Sequence, residues 1–78
     1  MKYAESRDAF QSESSDLKEI GYIQSGDNRF SYSETIYMHT VTGEIWIQVV
    51  ATDDRGGRVF YERYDEENEI AEIKNRLK

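Results

Sequence analysis

The stretch "DDRGGRVFYERYDEENEIAEIK", residues Asp53 to Lys74, changes texture twice. It opens as an acidic turn in which Gly56 and Gly57 supply the positive φ that a tight turn or bulge needs. "RVFYERY", residues 58–64, follows as an aromatic, strand-like run. Asp65 then reads as the N-cap of a helix over residues 65–78. Acids crowd its first turn, and Lys74, Arg76 and Lys78 stand in its last, which suits the helix macrodipole at both ends. Ile70, Ile73 and Leu77 form an i, i+3, i+7 stripe, and Glu72 with Arg76 makes a favourable i, i+4 pair. A helix this short is marginal alone, so its stripe must dock on the strand beside it.

Working back toward the N-terminus, "EIWIQVVAT", residues 44–52, is the most apolar segment. Ile45, Ile47, Val49 and Ala51 line one face, and Trp46, Gln48 and Val50 the other, the pattern of a central strand. "RFSYSETIYMHT", residues 29–40, alternates with period two. Phe30, Tyr32, Ile36 and Met38 share one face, Glu34 being the exception, and Ser31, Ser33, Thr35, Tyr37 and His39 share the other. A two-residue loop at Thr42-Gly43 would pair Met38 with Ile47 and His39 with Trp46. "SGDN", residues 25–28, is turn chemistry. Residues 17–24 read as a strand or a helical turn, with Gly21 weakening both. "QSESSD", residues 11–16, reads as a connection, and residues 1–11 as a short helix with Tyr3 and Phe10 on one face. The expected fold is α+β in a single domain over 1–78. It is a small antiparallel three- or four-stranded β-meander, packed on one face by the C-terminal amphipathic helix and a short N-terminal helix.

With 78 residues and no cysteine, neither disulfides nor thiolate metal sites can supply stability. The ten aromatic residues are then expected to build most of the core and one exposed face. The net charge of −6 argues against direct nucleic-acid binding and against adhesion to anionic membranes, and it suits a basic protein partner. No apolar run approaches the length needed to span a bilayer, and the N-terminus lacks a secretory apolar core. The expected location is cytoplasmic.

Chemistry-bearing motifs are sparse. His39 is the only histidine; a single imidazole with nearby acids such as Glu34 or Glu44 is a poor transition-metal site, and nothing places a nucleophile beside it. Asp53 and Asp54 lack the alternating ligands of a Ca²⁺ loop, and "RGGR", residues 55–58, is one short copy of an RNA-touching texture in an acidic chain. No catalytic residue, metal or cofactor is expected.

Two surfaces remain as binding candidates. One is the acidic surface of Asp65, Glu66, Glu67 and Glu69 with Asp53 and Asp54, an anionic ridge that imitates a phosphate backbone or docks on a basic groove. The other is an aromatic sheet face of Tyr37, His39, Trp46 and Gln48, expected to be open to solvent and rich in the residue types that anchor interfaces. The function expected is therefore a non-enzymatic acidic protein-binding domain. Its most specific form is a phage- or mobile-element-type inhibitor of a basic nucleic-acid-handling protein or defence nuclease complex, a nucleic-acid mimic in anti-defence. The alternative is a homodimeric structural or regulatory module that pairs through the open aromatic face.

Overall fold

The computed structural model describes residues 1–77. Five strands form one antiparallel sheet in the order β1-β5-β4-β3-β2. They are β1 (Lys2–Glu5), β2 (Leu17–Gly26), β3 (Ser31–His39), β4 (Ile45–Asp53) and β5 (Gly56–Tyr64). Helix α1 (Arg7–Glu13) and a 3₁₀ turn (Ser14–Asp16) link β1 to β2, and α2 (Glu67–Arg76) closes the chain. The α+β class and the antiparallel meander of β2 to β5 match the sequence reading. The strand number does not, because residues 1–11 divide: Lys2–Glu5 pair with Tyr61–Tyr64 as an edge strand before α1 begins. Ser6 separates the two. It is extended, and its hydroxyl accepts from the Ala9 amide as an N-cap.

The helices lie on opposite faces, not on one. Alternation along β4 sends Ile45, Ile47 and Val49 under α2, where Ile73 meets them with Ile36 of β3. Ile20, Ile23, Met38, Ile70 and Leu77 pack around this cluster. On the other face Phe10 of α1 stacks on Tyr61 at 4.6 Å and meets Tyr37 edge-on at 5.5 Å, with Trp46 at 6.2 Å. Each Å² of apolar area removed from water contributes roughly 25 cal/mol, so this aromatic layer stabilises the sheet as the aliphatic one does.

Three local expectations shift. The β3–β4 connection is longer than Thr42-Gly43 alone: residues 40–44 intervene, the His39 amide donates to the Glu44 carbonyl (2.8 Å), and Gly43 turns the chain at φ 79°. Met38 therefore faces Ile45, and Trp46 faces Tyr37 instead of His39. Residues 17–24 belong to a strand, with a bulge between Glu19 and Gly21. Gly21 is the point where α2 crosses β2, and a Cβ there would collide with Leu77. Finally, α2 starts at Glu67 with Glu66 as its uncapped N-cap residue, so Asp65 is not the cap. Lys78, the last residue of the expected helix, lies outside the described residues.

Candidate partner-binding surfaces

The four residues expected on an open aromatic face share that face, but α1 covers it. Trp46 and His39 are each only 4% exposed, and Tyr37 and Gln48 are half-buried. Phe10 is what fills the face; it lies on a helix as its sequence suggests, but Tyr3, expected to share that helix, lies in β1. Trp46 Nε1 is buried without a partner among the described residues, a cost of about 1–3 kcal/mol that the packing around it offsets. Burial also pushes the Tyr37 phenol up from its ordinary value.

His39 organises the lower end of this layer. Its Nδ1 accepts from the amides of Val41 and Thr42, both at 3.2 Å, so the ring proton sits on Nε2 and is donated to Glu13 Oε2 at 2.8 Å. The Thr40 amide and hydroxyl donate to the Asp16 carbonyl at 2.8 and 3.1 Å. Together these contacts clamp the end of α1 and the 3₁₀ turn to the β3–β4 loop. Side-chain oxygens of Glu13 and Asp16 lie within 4.8 Å of each other and of a His39 ring nitrogen. A cation bound through Nε2 would have to displace its proton while Nδ1 is already held by two amides. Both ring nitrogens are engaged, which leaves no free lone pair for a substrate or metal in this arrangement. Glu13 is the residue that the sequence did not single out here.

The acidic candidates separate into two sites. Asp65, Glu66, Glu67 and Glu69 cluster where β5 passes into α2. The Met1 amine bridges Asp65 (3.3 Å), Glu66 (3.2 Å) and Glu69, and the Glu69 hydrogen bond above all raises that amine from 8.0 to about 10. Glu67 is exposed and without an ion pair among the described residues. Asp53 and Asp54 lie at the far end of the nine-residue β5, about 26 Å away at 3.3 Å per residue. There Asp53 caps the turn by accepting from the Arg55 amide (2.8 Å), and Asp27 does the same for Arg29 (2.8 Å) and Phe30 (3.0 Å). Three carboxylates, Asp27, Asp53 and Asp54, thus stand beside Arg29, Arg55 and Arg58, and the far end is close to neutral. The net negative charge belongs to the rest of the molecule. Between the two ends, Arg63 holds Glu5 (2.7 Å) and Glu44 (2.6 Å) and lies over the Tyr3 ring at 4.2 Å.

No helix among the described residues is long and apolar enough to cross a membrane. No protein family matches the chain, and neither a curated protein nor a solved structure matches it significantly.

Proposed function

We propose that the chain is a non-enzymatic acidic protein-binding domain whose carboxylate pole covers a basic surface of a larger protein. The observation that carries this reading is the segregation of charge. Exposed Asp65 and Glu66 stand just before α2, and exposed Glu67 and half-buried Glu69 stand on its first turn, on a helix docked by Ile70, Ile73 and Leu77. Clustered carboxylates present oxygen acceptors as a phosphate backbone does, and they steer a Lys- and Arg-lined groove toward the domain. In its specific form the domain is a cytoplasmic inhibitor of a nucleic-acid-handling complex, of the kind that phages and mobile elements direct against defence nucleases. Asp53 and Asp54 stand apart from this pole, at the far end of β5 beside Arg29, Arg55 and Arg58.

The test is a pull-down with the intact chain, followed by association kinetics with the recovered nucleic-acid-binding protein at low and high salt. Glu66→Lys with Glu67→Lys is expected to slow association and flatten its salt dependence while leaving the melt unchanged, because rim charges act within a Debye length of about 8 Å. Duplex nucleic acid is expected to compete. Salt-independent association that ignores these reversals would reduce the acidic pole to a solubility feature.

A further inference from the structure

The two edges of the sheet are not equivalent. The β2 edge carries Lys18 and Glu19 beside its bulge, devices that discourage pairing with another strand. The β5 edge is covered by β1 only from Tyr61 to Tyr64. Residues Gly56–Phe60 have β4 on one side and no strand on the other among the described residues, and every one of them is exposed. Their register is continuous, without a bulge or proline, and Arg58 is the one charged residue among them. Val59 is 53% exposed and Phe60 44%.

Grooves flank this open edge on both faces. On the α1 face one is lined by Arg7, Phe10, Val59 and Tyr61. The other, near the hairpin end, is lined by Phe30 (46% exposed), Arg55 and Arg58, and Arg29 joins Phe30 and Arg55 in the adjoining hollow. The guanidinium groups of Arg7, Arg29, Arg55 and Arg58 make no ion pair among the described residues, whereas Arg63, farther down β5, holds two carboxylates. The nearby acids Asp27 and Asp53 accept the turn amides of Arg29 and Arg55, Asp54 stands beside Arg55 without an ion pair among the described residues, and the four guanidinium groups outnumber these three carboxylates.

We propose that Gly56–Phe60 is a strand-addition site for an extended acidic segment of a partner protein. The segment would lie in line with β1, hydrogen-bond to the free β5 backbone and alternate its side chains between the two grooves. Main-chain pairing supplies affinity in this mode of recognition, and side-chain pockets on alternate faces supply specificity. Acidic residues in the segment meet unpaired arginines, while apolar ones meet Phe10, Phe30 and Val59. This surface lies at the opposite end of β5 from the carboxylate pole, presents arginines without ion pairs among the described residues in place of a carboxylate cluster, and does not depend on the function proposed above.

The experiment titrates the isotope-labelled full chain with three probes. They are a short peptide alternating Glu or Asp with Val or Thr, the same peptide with Lys for the acids, and single-stranded oligo-dT. The acidic peptide is expected to move the amide resonances of Gly57–Phe60 and Arg7–Gln11. Arg55→Glu with Arg58→Glu is expected to weaken it by about tenfold, each reversal replacing an attraction by a repulsion. Arg76→Glu, on α2, is expected to leave it unchanged. The proposal is overturned if the acidic peptide leaves those amides unmoved at millimolar concentration, or if the Lys peptide or the oligonucleotide binds as well. Self-association that shields Gly57–Phe60 would also overturn it, since the occupant would then be a second copy.

Discussion

Individual side chains carry more of this fold than their residue types announce. His39 was legible as a strand residue on the Tyr37 face, but its clamp depends on Glu13, which is 26 positions away and joined to it only by the fold. The clamp has two separable halves. His39→Asn places an amide oxygen near the position of Nδ1 and can retain acceptance from Val41 and Thr42 while losing Glu13. His39→Ala loses both. The melt of the Ala variant is expected to fall by about 1–3 kcal/mol, and that of the Asn variant by less. If the two fall equally, the loop amides do not need the acceptor. The Met1 amine offers a pH test. Its folded value is raised to about 10, so its contribution is complete below pH 8 and is lost as pH rises through 10. Tyr32, Tyr37 and Tyr64, pushed upward mainly by burial, add their losses only above 10. The 78-residue polypeptide should therefore lose melting temperature between pH 8 and 10, and an N-acetylated one should stay flat across that window. The loss is expected to be small, because the amine is exposed and screened.

Elements were legible wherever one period dominated. The α2 stripe and the alternation of β3 and β4 could be read because each buries a single face or, for β4, two apolar ones. The N-terminal segment could not, because Lys2–Glu5 is too short to display a period and its strand character comes from pairing with β5. The second layer is hidden in the sequence for the same reason, since α1 covers a face that otherwise reads as open. The two layers can be tested separately. Ile73→Asp puts a carboxylate into the aliphatic cluster and is expected to cost more than about 4 kcal/mol, enough to unfold a domain of this size. Phe10→Ala removes only the aromatic anchor of α1. A loss of about 2–3 kcal/mol is expected, with a folded sheet and a red shift of Trp46 emission as water reaches the indole. An unchanged emission maximum in Phe10→Ala would mean that α1 does not shield Trp46.

Across the whole molecule, charge and stability are both polarised, and neither is visible in the linear sequence. Asp27–Phe30 and Asp53–Arg58 are separate turns that the antiparallel register brings to one end, where acids and arginines balance. The carboxylates that look like a single set in the chain are therefore about 26 Å apart in space. Stability follows a different axis. β4 has a strand on each side, Ile73 on one face and Phe10 on the other, so Ile45, Trp46, Ile47 and Val49 are buried. β5 is enclosed only where β1 and α1 reach it. Amides of β4, with Ile36 of β3, are thus expected to exchange with solvent only by global unfolding, with protection factors of about 10³ to 10⁸. Gly57 to Phe60 and the outer edge of β2 are expected to exchange by local opening, orders of magnitude faster, with α1 between these limits. Hydrogen exchange on the isolated monomer reads this gradient directly. Protection of Gly57–Phe60 equal to that of β4 would mean that the edge is already paired, and the asymmetry between the ends of β5 would disappear with it.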